Sequence, residues 1–135
     1  MIGVAEYMYE NAARYGINEE IAYLIGLLHD IGYISGSKDS HEKYGAELLQ
    51  KLGINHIMYD VILNHGKTPK EFLEQYSTIP YIMVLMWEAD LKVDLTGKNV
   101  GYTKRLEDIA NRHGYDSKPY KICKETIDWL KGREI

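Results

Sequence analysis

Five side chains of ligand chemistry fall at helical spacing among apolar neighbours: His29, Asp30, His41, His65 and Asp90. Met83, Met86, Trp87 and Asp90 occupy i, i+3, i+4 and i+7, which puts a carboxylate on a face otherwise made of large hydrophobes. An unpartnered buried carboxylate is very costly, so Asp90 calls for a partner. Ile57, Val61 and His65 follow i, i+4, i+8, while His41, Gly45, Leu48 and Leu52 share one side. Ile21, Ile25 and His29 form a further row, with Asp30 beside its last member. The spacing therefore turns three histidines and two aspartates inward from four helices. Neutral imidazole nitrogens and carboxylate oxygens on converging helices suit one divalent ion with open positions, or two ions sharing a bridging aspartate. A single inward histidine is more often a hydrogen-bonded core residue, and periodicity alone leaves the two readings balanced. His56, near a helix start, and His113, just before Gly114 where a cation is favoured, keep the plain structural reading.

The elements that must carry these residues read as helices throughout. Val4, Met8, Ala12 and Tyr15 make one stripe closed by Gly16, and Ile21, Leu24, Ile25 and Leu28 make the next, ending before Gly32. Residues 32–39 read as a loop. Asp39 and Glu42 have the spacing of a capping box and start a third helix through Leu52 to Gly53. Asn55 caps a fourth with Met58, Val61 and Ile62, stopping at Gly66 with Pro69 beyond. A fifth runs from about Ile79 to Val93. After a break at residues 96–101, Leu106, Ile109, Ala110 and His113 resume the pattern, and Pro119 opens a last helix with Tyr120, Cys123, Ile127 and Leu130. The expectation is all-α: a single domain over residues 1–135 of about seven short helices round one core, with no repeat and no linker.

Composition limits what such a domain can do. With 135 residues, 45% apolar and 27% charged, the chain has the size and make-up of one globular domain. A net charge of −4 gives no basic field for phosphate neutralisation, which argues against a nucleic-acid partner and for small molecules. One cysteine, Cys123, allows neither an internal disulfide nor a multi-thiolate metal site, and a reducing, cytoplasmic setting is the expectation. The nearly uncharged run 76–87 is too short to span a bilayer, so no membrane partner is expected.

In the context Leu27-Leu28-His29-Asp30-Ile31-Gly32-Tyr33, the chain resembles the HD superfamily of metal-dependent phosphohydrolases. The order of the other residues adds to it: His41 in His-Glu-x-x-Gly-Ala, His65 at a helix end and Asp90 in Glu88-Ala89-Asp90-Leu91. The resemblance spans residues 3–94 and implies an all-helical, HD-like bundle. It implies that His29, Asp30 and Asp90 bind a first metal, and that His41 and His65 supply a second with Asp30 able to bridge. It implies hydrolysis of a phosphate ester or anhydride, commonly in a nucleotide. Two departures stand out. The histidine that family members usually carry in the first helix would fall before Met1, and Tyr33 stands where many members that cleave diesters have lysine, which leaves monoester or pyrophosphate substrates.

A metal-activated water needs no protein nucleophile. Cys123, with no base motif beside it, reads as a small core residue. Asp30 and Glu42 are the candidate catalytic carboxylates; Glu42 would act as a base or orient an imidazole, and its capping role weighs equally. Gly66-Lys67-Thr68 is not a Walker motif, because Val61 stands where glycine is required and a helix precedes it. Lys38 and Lys67 are candidate contacts for a substrate phosphate, set against simple surface solvation. Arg105 and Arg112 read as ion-pair partners of Glu107 or Asp108. The cofactor is one or two divalent ions, with iron, manganese, zinc, nickel, cobalt and magnesium not distinguished. The partner is a small phosphorylated metabolite, nucleotides included, and a homodimer is compatible with the twelve tyrosines. Two other readings stand beside hydrolysis: a diiron oxygenase of the same fold, and a non-catalytic module that binds metal or nucleotide.

Overall fold

Nine of the twelve residues of one helix, Tyr81–Lys92, are buried, and the other helices are arranged round it. A computed structural model describes residues 2–30 and 56–133, with Glu47 and Lys51. These contain α1 (Ile2–Asn11), α2 (Glu19–Leu28), α3 (His56–Asn64), α4 (Pro69–Gln75), α5 (Tyr81–Lys92), α6 (Gly101–His113) and α7 (Lys118–Arg133). The fold is all-α, as the periodicity predicts, and β-structure among the described residues is limited to an isolated bridge, Val93 with Asn99.

α5 packs against α1, α2, α3, α6 and α7. Its buried residues face in every direction round the axis, from Ile82 through Ala89, as expected of a helix at the centre of a bundle. Val4 and Met8 of α1, Ile25 of α2, Val61 of α3, Phe72 of α4, Ile109 of α6 and Ile127 and Leu130 of α7 complete the core. Edge-to-face contacts run from Phe72 to Trp87 and on to Trp129, tying α4, α5 and α7 together.

α1 and α2 lie especially close. A Cβ on Gly26 would meet the Ala5 Cα at 2.7 Å, so only glycine lets the two backbones approach this far. Asn18 caps α2 by accepting from the Ile21 amide at 3.0 Å.

Three expectations need correction. The stripe to Tyr15 is not one helix: α1 stops at Asn11, and Ala12–Tyr15 tightens into a 3-10 turn closed by Gly16, whose amide returns to the Ala12 and Ala13 carbonyls. α4 is an additional helix, opened by a full capping box between Thr68 and Glu71 with Pro69 in its first turn. Ile21 and Ile57, placed inward by their rows, are 42% and 55% exposed. The helix expected from Asp39 to Leu52 lies outside the described residues apart from Glu47 and Lys51. No helix among the described residues is long and apolar enough to cross a membrane.

Candidate metal centre

α2, α3 and α5 pack on one another, and each delivers a ligand-type side chain from its C-terminal end. His29 is the C-cap of α2, His65 follows the last residue of α3, and Asp90 lies in the last turn of α5. The carbonyl ends of helices carry partial negative charge, so three such ends favour a cation between them.

His29 is 1% exposed and His65 7%. The Nδ1 of His29 lies 2.7 Å from the Gly26 carbonyl oxygen, and that of His65 2.7 Å from the Ile62 oxygen. A carbonyl only accepts, so each Nδ1 carries a proton and donates it, which leaves Nε2 to face the site. His29 Nε2 stands 3.0 Å from Asp30 Oδ2 and 3.5 Å from Asp90 Oδ1, and His65 Nε2 stands 3.5 Å from Asp30 Oδ1. The two rings meet edge to face with centroids 5.4 Å apart.

The buried His29 Nε2 makes no well-aligned hydrogen bond despite its two carboxylate neighbours. In a neutral ring it would aim a lone pair at carboxylate oxygens, which is repulsive unless a positive charge intervenes. Burial alone would lower the His29 pKa, but Asp30 and Asp90 outweigh it and push the imidazole up to about 10. Burial would raise both aspartates; the histidines outweigh it, holding Asp30 far below and Asp90 below the usual carboxylate range.

A divalent ion fits the chemistry of this donor set. Donors bound to one ion at about 2.0–2.2 Å stand roughly 3–3.5 Å from each other, and the three separations are 3.0, 3.5 and 3.5 Å. The contacts are pairwise, however: among the described residues no three His, Cys, Asp or Glu side chains already form a cluster that could hold a metal ion. Asp90 is also less enclosed than its row predicts, with its side chain 34% exposed.

His41, Glu42, Lys38 and Tyr33 lie outside the described residues. The Lys67 ammonium donates to Gln75 Oε1 at 2.9 Å on the surface, so its hydrogen bond runs to α4 and not to the His29–Asp90 group. Arg105 forms no ion pair with Glu107 or Asp108 among the described residues. Its Nε donates to the Asp90 carbonyl oxygen at 3.3 Å, while Asp108 pairs with Lys104 at 3.6 Å. Cys123 packs against the core as expected. His56 is exposed and pairs with Asp60 at 3.1 Å.

Glu88 is a buried charge that sequence reasoning missed. It is 2% exposed, and its carboxylate accepts from the Tyr7 hydroxyl, from Arg14 Nη2 at 2.5 Å and from the Tyr15 hydroxyl at 2.6 Å, with Lys92 Nζ at 3.5 Å. Burial would raise its pKa, but these donors outweigh it and hold Glu88 below the usual carboxylate range. The signal was available: Glu88 lies four residues after Val84 and three before Leu91, on a second apolar row of the same helix.

A family model described as HD domain matches residues 1–111, which is most of the chain, and the chain belongs to that family. HD domains generally bind divalent metals and are typically metal-dependent phosphohydrolases. Neither the curated proteins nor the solved structures contain a match to it.

Proposed function

We propose that this HD-domain chain is a metal-dependent phosphohydrolase that cleaves a phosphomonoester or phosphoanhydride bond in a nucleotide or another small phosphorylated metabolite. The observation that carries the reading is the buried, unbonded His29 Nε2 aimed between Asp30 and Asp90. His29, Asp30, His65 and Asp90 would hold the ion, joined by His41 from outside the described residues. A divalent ion held there lowers the pKa of a bound water and polarises a phosphoryl oxygen.

The protein's own groups do the rest. The Gly26 and Ile62 carbonyls hold the Nδ1 protons, fixing both tautomers with Nε2 turned to the site. Asp30 presents one oxygen to each imidazole, so its carboxylate would hold the ion together with both rings. The Arg105 bond to the Asp90 carbonyl fixes the backbone from which that carboxylate projects.

The test pairs elemental metal content with phosphate release from a panel of nucleotides and sugar phosphates. We expect one or two divalent ions per chain and turnover that Asp90→Ala abolishes. Full activity in Asp90→Ala would show that the centre is elsewhere. Metal retained without turnover of any phosphorylated compound would favour a binding module.

A further inference from the structure

α5 ends at the residue after which its carbonyls lose their helical partners. The Val93 amide still returns to the Ala89 carbonyl at 3.0 Å, but the next amide, that of Asp94, donates to the Lys98 carbonyl at 2.9 Å. A longer helix would pair the Asp94 amide with the Asp90 carbonyl, which is one of the acceptors a helix leaves over at its C-terminal end. The departure is built into residues 93–100. Asp94 Oδ1 accepts from the amides of Thr96 and Lys98 at 2.9 and 3.1 Å, Gly97 takes a φ of 87°, and Val93 bridges to Asn99. The chain doubles back there and starts α6. From just past the first turn of α6, the half-buried Arg105 reaches the acceptor left over, its Nε donating to the Asp90 carbonyl at 3.3 Å.

The acceptor belongs to the residue whose carboxylate stands 3.5 Å from the buried His29 Nε2. A carboxylate is aimed only as well as the backbone that carries it is fixed, and at a helix end no following turn fixes it. Arg105 supplies that constraint from another helix. Its charge and its donor act in opposite directions. A positive charge near a bound cation opposes binding, whereas a donor that fixes the ligand's backbone favours it.

We propose that Arg105 is a positioning residue for the metal centre, holding Asp90 through its Nε–H and thereby setting how tightly the chain binds a divalent ion. This role presupposes that the His29–Asp90 group holds the ion. Arg, Gln and Met have similar helix propensities, so exchanges among them leave α6 itself little changed. Gln places an N–H as far along its side chain as Arg Nε and carries no charge; Met has neither donor nor charge.

The test titrates the chelator-treated full chain with cobalt(II), reading affinity and the visible absorption bands of the bound ion at a temperature where the helical circular dichroism is kept. The parent should bind saturably, and Asp90→Ala should lose that binding. Arg105→Met should bind about tenfold more weakly with altered bands, while Arg105→Gln stays within about twofold of the parent. Arg112→Met, at an exposed position on the same helix, should match the parent. If Arg105→Met fails to fold, Arg105→Lys, which moves the donor outward by one atom, replaces it with a loss of about threefold expected. The positioning role is overturned if the Met variant, or the Lys variant in its place, loses stability but keeps the parent's affinity and bands, or if Gln and Met lose affinity equally. In either case the loss of binding in Asp90→Ala keeps the metal reading intact. If the parent binds no cobalt, or Asp90→Ala binds it like the parent, the metal reading fails and the positioning role with it.

Discussion

Glu88 and Asp90 are two residues apart on one helix and meet opposite fates. Glu88 is closed in by Tyr7, Arg14 and Tyr15, so its charge is compensated within the protein. Asp90 faces imidazoles and remains one-third open, so its charge is available to a ligand. Removing a buried charge partner leaves the remaining groups uncompensated, and Glu88→Ala should cost about 3–5 kcal/mol in urea unfolding. Arg14 is half-exposed, so Arg14→Ala should cost about 1 kcal/mol or less. Similar losses for the two variants would contradict the ranking. Because the folded pKa of Glu88 is depressed, its stabilising effect is present above the ordinary carboxylate pKa and is lost as pH falls through the folded value. Cys123 gives a prediction of the opposite sign: burial pushes its thiol up to about 11. At pH 8 only about a thousandth is thiolate, so alkylation by iodoacetamide should be far slower than for free cysteine and should accelerate toward pH 11. Labelling at the rate of free cysteine at pH 8 would show the thiol to be unprotected.

At the scale of elements, the helix ends decide the site. His29 closes α2, its Nδ1 bonds the Gly26 carbonyl, and Gly26 is where α2 touches α1 most closely. Gly26→Ala should raise intrinsic helix propensity by about 1 kcal/mol yet lose about 1–3 kcal/mol to the clash with the Ala5 backbone. The same shift should move the His29 imidazole, so the variant should bind metal more weakly even where it remains folded. Calorimetry with titrated zinc or manganese checks both; unchanged stability and affinity would mean that α1 and α2 can part freely. This scale also shows how far the sequence could be read. Apolar rows located α2, α3, α5, α6 and α7, because each spans at least two turns of consistent pattern. α4 escaped because seven residues are too few for a period, although Thr68 and Glu71 carry a capping box. The rows through Ile21 and Ile57 went wrong for a geometric reason. Steps of four residues advance by about 40° beyond a full turn, so the first member of i, i+4, i+8 lies about 80° round from the last. His29 and His65 are therefore inside while Ile21 and Ile57 are half-exposed. The place of Glu88 on an apolar row was legible, but the groups that compensate it were not, because they come from α1 and the 3-10 turn, more than seventy positions away.

For the whole molecule, the metal reading makes the ion part of the fold. α2, α3 and α5 come together where His29, Asp30, His65 and Asp90 lie, so a cation held by all four would join three helices at ends where their carbonyl dipoles already concentrate negative charge. An ion that binds the folded chain and not the unfolded one stabilises it by about 2.7 kcal/mol at one hundred times its dissociation constant. For a chain of this size that is a rise in melting temperature on the order of 10 °C. Scanning calorimetry of the chelator-treated chain, with and without added manganese or zinc, should show this rise. Asp90→Ala should abolish most of it, and should also lower the metal-free melting temperature, because Asp90 is one of the two carboxylates that face the buried His29 imidazole. The metal-free chain should also lose stability as pH rises through about 10, because the raised folded pKa of His29 means that its proton bridges the carboxylates only below that value. Metal and proton would then be alternative occupants of one position, and the thermal gain from metal should shrink as pH falls and a proton holds the His29 imidazole. A metal-induced rise of equal size in Asp90→Ala would place the ion elsewhere in the molecule.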